Sequence, residues 1–574
     1  MPRGMEKNVQ QGFHRGHGST PHGTRTGWQN LPNELRIMIF SILRESERTH
    51  ITNYVTTCKQ WQRWFEPESF HTIHLDQHKL PHLESVIGDR NHRQLYVQKI
   101  SFVAKLSTYD CSECMEEEDE DTAFTNSQIL FRGMRDLFAV LSSWSVEGRG
   151  GICLEIGARS PSDAQHGFRE YRFEKSSQMQ GPQSKQLYKK HLQKVRDASD
   201  ACPSWNLVRR GAHAPYGAKR RVLSTLLSPA AGNYPIFFGS DNNVPQKWYR
   251  FPRVEVISTL QVRRHGYRRI AFAFLRELAS GNMPNLRTVR YERWHHPVDP
   301  YPTPRAMRNL DIMVNRGLEN FSVFCDHGEP INQEARLDNG VHLSSQSGYG
   351  MPMHIVFTIC RLRRVCLSFV IEPEDFFWAA RRIWSSAKNK AECFPNLESL
   401  SMTCGLFCLK DSSALSDTLV DASDALYLMP KLKSVTLWNG GKRWGSYLHL
   451  DNTRGPDGLR KPSVTYASTR DLTTSAVISA WKASFEKNRP GEGCLQEVTE
   501  KLDKRDIQCA AGMLDQLPDS SLILTEQSKA EMQLEGTARN AFERIGSIGP
   551  SATVPALFSL ILTESARLLP SNLG

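Results

Sequence analysis

Four copies of one tetrad constrain this 574-residue chain more than any other feature: Phe251-Pro252-Arg253-Val254, Met283-Pro284-Asn285-Leu286, Phe394-Pro395-Asn396-Leu397 and Met429-Pro430-Lys431-Leu432. After each, apolar residues continue at +3 and mostly at +5: Val254/Ile257, Leu286/Val289/Tyr291, Leu397/Leu400/Met402 and Leu432/Val435/Leu437. Two further units, Leu318/Phe321/Val323 and Leu362/Val365/Leu367, lack the proline. Successive units begin 32 (254 to 286), 32 (286 to 318), 44 (318 to 362), 35 (362 to 397) and 35 (397 to 432) residues apart. Proline disfavours continued helix and pushes its predecessor to extended geometry. Each unit therefore predicts a helix, such as 267–279 or 374–388, then a stop, then a short strand. A single unit leaves apolar surface uncovered on both sides, and stacking against its neighbours covers it. The expectation is a mixed α/β chain of irregular β–α units, with strands already near 70–75, 97–102 and 152–156. An irregular α/β domain with a parallel sheet is an equally open form of the same pattern.

The N-terminal stretch 28–75 has a different period. Pro32 suits a first helical turn, Asn30 a cap before it and Glu34 the positive end of the helix dipole. Leu31, Leu35, Ile39, Ile42 and Leu43 then recur at helical spacing. A second amphipathic helix carries Ile51, Tyr54, Val55, Cys58, Trp61 and Phe65, and Pro67 is expected to end it. So few helical residues bury too little to stand alone. Their apolar side must meet either the rest of the chain or a partner.

L-P-x-E-L at 31–35, followed by Ile39, Leu43, Val55 and Trp61, resembles the F-box, the module that docks on the Skp adaptor of cullin–RING ubiquitin ligases. Phe70, Ile73 and Leu75 look like the strand that leads out of it. The polar run Thr56 to Gln60 departs from the pattern. With the repeats behind it, the chain resembles fungal-type F-box proteins with degenerate leucine-rich-like repeats. That resemblance implies a substrate receptor with no catalysis of its own, Skp-adaptor contacts at Leu31, Pro32, Leu35, Ile39, Leu43, Val55 and Trp61, and a client protein on the repeat surface. It also implies a cytoplasmic or nuclear location.

In an L-x-x-L-x-L strand the residues between the apolar ones face the open side of the sheet. These are Thr288, Arg290, Asn320, Ser322, Arg364, Cys366, Ser399, Ser401, Ser434 and Thr436, with Phe324 and Trp438 just past the strand ends and Trp294 and Trp444 in adjoining loops. Aromatic and Arg side chains dominate binding hot spots, so Thr288, Arg290, Phe324 and Trp438 are the candidate client contacts.

The expected organisation is a disordered leader over 1–27, an F-box-like module over 28–70, a repeat domain over 71–450, and a C-terminal region of uncertain structure over 451–574. Residues 159–250 are polar, basic and rich in Gly, Pro and Ser, and read as a partly ordered insertion. Its Lys219-Arg220-Arg221 reads as a solvated basic loop. In the C-terminal region, 474–488 predicts a helix, CLQEVTEKL one more strand unit, and 528–546 a weak helix.

The leader has no apolar core of a signal peptide, and no run of about 18 apolar residues predicts a membrane span. Thirteen scattered cysteines suit reduced thiols. The net charge of +11 permits nucleic-acid contact without placing a site for it. A basic repeat scaffold or nucleic-acid-associated protein with a vestigial F-box is therefore the alternative, with nucleic acid the less favoured partner.

No G-x-S-x-G, H-E-x-x-H, G-x-x-x-x-G-K-[ST] or G-x-G-x-x-G occurs, so no catalytic residue and no cofactor is expected. Cys111-x-x-Cys114 runs into six consecutive acids, Glu116 to Asp121. No second CxxC or CxxH stands near it, so a solvated acidic loop without metal is the expectation. His295-His296 and Cys404-x-x-x-Cys408 read as surface histidines and as small packed hydrophobes.

Overall fold

The computed structural model describes residues 28–46, 51–88, 91–148, 150–169, 184–197, 201–209, 214–228, 251–294, 317–326, 350–386, 393–408, 412–453, 461–470, 475–489 and 493–546. The expected leader, His295-His296 and the end of the chain lie outside these residues. The chain divides into two compact units at Ser69/Phe70.

The first unit is helical: α1 Asn33–Ser46, α2 Ile51–Val55 and α3 Lys59–His71, the last running across the division. Pro67 does not end α3, contrary to expectation. The ring removes the bond to the Arg63 carbonyl, but Arg63 is exposed, where water can take that place.

The second unit is mixed α/β. Its strands are β1 Thr72–Leu75, β2 Lys99–Lys105, β3 Ile152–Arg159, β4 Thr225–Leu226, β5 Ile257–Val262, β6 Arg269–Ile270, β7 Thr288–Trp294, β8 Asn320–Asp326, β9 Arg364–Ser368, β10 Ser399–Thr403, β11 Ser434–Gly441, β12 Trp444–Asp451, β13 Ser463–Ser468 and β14 Gln496–Lys501. β4 and β6 pair with each other, and the other twelve form one sheet in chain order. Pairing is parallel from β1 to β11, antiparallel at β11–β12–β13, and parallel again at β13–β14.

The register follows the sequence repeat. Val289 stands opposite Phe321, Phe321 opposite Val365, Val365 opposite Leu400 and Leu400 opposite Val435, all +3 positions of successive units. The first unit is shifted by three residues, because Val289 pairs with Leu260 rather than Ile257. Just before each strand a ladder of alternating charge crosses the units: Arg287–Glu319 at 4.0 Å, Glu319–Arg363 at 3.3 Å, Arg363–Glu398 at 2.8 Å and Glu398–Lys433 at 2.9 Å. Exposed pairs stabilise by only about 0–1 kcal/mol each, so the ladder marks register more than it supplies stability.

The helices between strands cover one face. Leu130, Met134 and Leu137 of helix Glu120–Leu141, Phe376 and Ala380 of Pro373–Ser386, Leu419 of Ser412–Asp424, and Trp481 of Ser475–Asn488 share a single core with Ile100, Leu154, Val289, Val323, Leu367, Leu400 and Leu437. Cys404 and Cys408 pack there as small hydrophobes. The expected helix over 267–279 is shorter, Phe272–Glu277 followed by a wider turn to Asn282. Its N-terminal part is otherwise engaged: Arg269–Ile270 forms β6, and the buried Arg268 guanidinium donates to Glu118 and Ser224 at 2.7 Å.

The acidic run and the basic cluster meet: all the acids but Glu118 stay exposed, as expected, whereas the basic cluster is not a solvated loop. Lys219-Arg220-Arg221 lies on helix Tyr216–Val222, with Lys219 and Arg221 buried. Arg221 donates to the carbonyls of Glu116 and Glu117 at 2.9 and 3.1 Å, and Arg220 pairs with Glu117 at 2.8 Å. The approach is close enough that a Cβ at Gly217 would sit 2.4 Å from the Met115 carbonyl oxygen. The insertion also contains helix Ser184–Asp197, whose Tyr188 and Leu192 pack with Leu534.

The region beyond 450 is part of the same sheet. β13, helix Ser475–Asn488 and β14 continue it, and charged Glu497, Glu500 and Lys501 mark the exposed edge strand. Three helices then follow, Ala510–Leu514, Ser520–Ile523 and Glu526–Gly546. This terminal segment crosses the sheet on the face opposite the other helices.

Candidate functional site

The helical unit has a small core of its own. Phe40 and Phe65 are buried with their rings 5.3 Å apart, and Trp28, Leu43, Tyr54, Val55 and Trp61 pack around them. Gln60, from the polar run, accepts from Trp28 Nε1 at 2.9 Å and from Arg36 at 3.2 Å, which ties the first turn to α3. The rest of that run forms the turn between α2 and α3, where Thr56 donates to the Asn53 carbonyl at 2.9 Å.

This core leaves a bare apolar stripe on α1. Leu35, Met38 and Ile42, at i, i+3 and i+7, are 44%, 56% and 57% exposed. Ile37 and Trp64, also exposed, line a cleft of about 560 Å³ with Asn33, Arg36, Phe40, Lys59, Gln60 and Arg63. Five of the twelve exposed large hydrophobic side chains among the described residues fall in this short module, which is concentrated enough to mark a contact surface.

The residues named from sequence divide accordingly. Leu35 and Pro32 are exposed, Leu31 and Ile39 half-buried, and Leu43, Val55 and Trp61 pack inward on Phe40 and Phe65. The inward three support the surface rather than form its centre. Sequence reasoning passed over Met38, Ile37 and Trp64. An apolar residue beside an apolar stripe, outside its strict period, was the available signal.

The open face of the sheet is not open. Phe324 and Trp438, expected as client contacts, are 1% and 0% exposed. They share a second core with Cys366, Phe369, Tyr447 and Ala467 from the sheet side, and with Ile507, Met513, Leu514, Ile523, Leu524 and Met532 from the terminal segment. Large apolar side chains on both faces of a strand need two covers, and the chain supplies the second itself. Trp294 and Trp444 are likewise buried, Trp294 donating its indole N–H to the Arg264 carbonyl at 2.9 Å.

Polar pairs pin this cover. Ser322 donates to the Ile523 carbonyl at 3.1 Å, and Ser528 to Glu292 at 2.5 Å. Arg263 binds Glu531 at 2.8 Å, and Arg264 binds Glu535 at 2.7 Å as well as Asp326. Both guanidiniums are buried, so the carboxylates of helix Glu526–Gly546 add to Asp326 and Glu155 of the sheet side in offsetting their charge. Next to them lies Glu155, paired with Lys99 at 2.5 Å. Burial alone would raise its pKa, but Arg263, His265 and Lys99 outweigh that and hold it at about 2. Burial, with Arg263 beside it, lowers His265 to about 3.

What stays accessible on this face is the end where strands begin. Thr288 stands opposite Asn320 and Asn320 opposite Arg364; Thr288, Arg290 and Asn320 are half-buried and Arg364 is exposed.

A third cluster lies outside both surfaces. Cys111, Cys114, His166 and Cys202, from three separate segments, meet beneath helix Pro203–Arg209. Sequence spacing around the CxxC gave no sign of the two distant members.

Residues 313–525 are similar to a family of unknown function (DUF6546), a match covering β8 to β14 and the start of the covering segment. No curated protein matches the chain. Among the described residues, no helix is long and apolar enough to cross a membrane.

Proposed function

We propose that this chain is the substrate-recruiting F-box subunit of a cullin–RING ubiquitin ligase. The observation that carries the reading is the bare stripe Leu35, Met38 and Ile42 on a helical unit whose core is already closed by Phe40 and Phe65. Apolar surface that no intramolecular packing requires is what a docking helix needs, and the L-P-x-E-L order names the Skp-type adaptor as its occupant. The receptor carries out no chemistry; it bridges the adaptor and a client protein, in the cytoplasm or nucleus. The client surface is redrawn from the sequence reading. Phe324 and Trp438 belong to the interior, and the accessible end of the open face, Thr288, Arg290, Asn320 and Arg364, takes their place.

Co-purification of the full-length protein from cells tests the adaptor claim. Skp and cullin subunits are expected with the wild type and lost with Leu35→Asp/Met38→Asp, while circular dichroism stays unchanged. Recovery of nucleic acid without Skp from the wild type would overturn the proposal in favour of a basic scaffold. Arg290→Ala/Arg364→Ala is expected to lower client recovery and leave Skp recovery intact.

A further inference from the structure

The structure assigns a structural zinc site of Cys3His composition to Cys111, Cys114, His166 and Cys202. Three of the ligand atoms, Cys111 Sγ, His166 Nδ1 and Cys202 Sγ, lie within 4.8 Å of one another. Cys202 Sγ stands 3.4 Å from His166 Nδ1, and Cys111 Sγ 3.7 Å from it. Cys114 Sγ lies 4.0 Å from Cys202 Sγ. Tetrahedral zinc, with bonds of about 2.3 Å to sulfur and about 2.0 Å to nitrogen, sets ligand atoms roughly 3.8 Å (S to S) and roughly 3.5 Å (S to N) apart. The Cys202–His166, Cys111–His166 and Cys114–Cys202 separations differ from these by a few tenths of an ångström, while Cys114 Sγ stands more than 4.8 Å from at least one of the other two ligand atoms. Cys114 closes the set by turning its thiol away from the Cys111 carbonyl, which it now contacts at 3.3 Å.

The surroundings favour a metal over a packed thiol cluster. His166 Nε2 is 3.3 Å from the Tyr109 carbonyl oxygen. A proton on Nε2 donates to that carbonyl and leaves the Nδ1 lone pair aimed at the sulfurs, the outer-shell arrangement usual for a metal-binding histidine. Tyr109 stacks on the imidazole at 5.0 Å, accepts no freedom of its own because its N–H donates to Ser162 at 3.0 Å, and donates its hydroxyl to the buried Asp163 at 3.1 Å. Cys114, His166 and Cys202 are buried, and Cys111 closes the solvent side. The thirteen cysteines form no disulfide, and 4.0 Å between Cys114 and Cys202 is about twice a disulfide bond length.

Three thiolates and one imidazole with no carboxylate suit zinc rather than calcium or magnesium, and four protein ligands leave no position for substrate, so the role is structural. The site joins the loop after β2, the turn after β3 and the segment before helix Pro203–Arg209. That helix otherwise rests on a small cluster of Cys114, Cys202 and Trp205, with Tyr109, Met115, Val195 and Val208 packed round it, little apolar surface to hold three distant segments together.

Elemental analysis of the full-length protein, purified without a histidine tag or chelator from zinc-supplemented cells, is the first test. About one zinc per chain is expected in the wild type and in Cys494→Ser, whose thiol is exposed elsewhere, with loss in Cys202→Ser and His166→Ala. Because those two variants can fail to fold, chelator-stripped wild type is also titrated with Co2+ alone. Strong visible absorption of tetrahedral thiolate-bound cobalt, saturating at one equivalent and bleached by zinc, supports the site. A folded wild type without zinc, a Cys114–Cys202 disulfide in the purified protein, or cobalt giving only the faint spectrum of the hydrated ion overturns it. None of these readouts depends on the adaptor reading.

Discussion

The stripe on α1 and the Phe324–Trp438 row on the sheet are both apolar surfaces that face away from the main core, yet one is bare and the other covered. Leu35, Met38 and Ile42 stand outside the core that Phe40 and Phe65 form and are 44%, 56% and 57% exposed. Phe324, Phe369, Trp438 and Tyr447 meet a segment that begins about sixty residues after β11 ends, and that arrives with its own carboxylates for Arg263 and Arg264. Periodicity reports that a face is apolar. Whether that face is interior or a contact surface depends on what the remaining chain brings to it.

The sharpest way to break this contrast is to remove the cover. A chain ending at Lys501 bares the second core and leaves two buried guanidiniums without their partners on helix Glu526–Gly546. Loss of soluble folded protein is expected; a soluble truncation with an unchanged melting temperature would mean that the cover is optional, and that Phe324 and Trp438 are a binding face after all.

Trp438→Ala comes next. Removing a fully buried Trp destabilises by about 3–5 kcal/mol, and urea unfolding should show that loss before any change in adaptor recovery. A shift below about 1 kcal/mol would place the side chain at a surface, as the strand pattern first suggested.

Acid should act on the covered face and spare the stripe, whose Leu35, Met38 and Ile42 side chains do not titrate. His265 is held at about 3 against an ordinary 6.5, and Glu155 at about 2 against 4.5. For each, the unfolded chain takes up protons that the folded chain refuses, so stability is fully present above the ordinary value and falls as pH drops towards the folded one. Between pH 7 and 5 His265, facing Glu155, Arg263, Arg159 and Lys99, is within its window, together with His74, His166 and His449, which burial also lowers. The melting temperature should decline over that range, and His265→Gln should flatten the decline; an equal slope in both proteins argues against a neutral buried histidine.

The smallest effect on stability belongs to the stripe. Met38→Ser should change unfolding free energy by no more than about 0.5 kcal/mol while lowering Skp recovery. A large destabilisation would show Met38 to be interior.

Much of the fold was legible because strand and helix periods are local properties. The +3 residues Val289, Phe321, Val365, Leu400 and Val435 became one register row, and CLQEVTEKL became β14. The amphipathic helix α1 was legible as well, although Met38, Ile37 and Trp64, exposed beside its apolar stripe, were passed over. The insertion was misread from composition: its basic residues look solvated until Glu116 and Glu117, about a hundred residues earlier, are placed beside them.

By itself, then, the sequence determined the β–α repeat and the amphipathic face of α1, both of which depend on residues within a few turns of one another. Only the tertiary structure decided that the open face is closed by residues 502–535, that Arg264 finds Glu535, that Cys111 finds His166 and Cys202, and that Cys114 finds Cys202. Those pairings join residues 50 to 270 positions apart, a separation at which neither period nor propensity carries information, and burial of charge and apolar area chooses the partner.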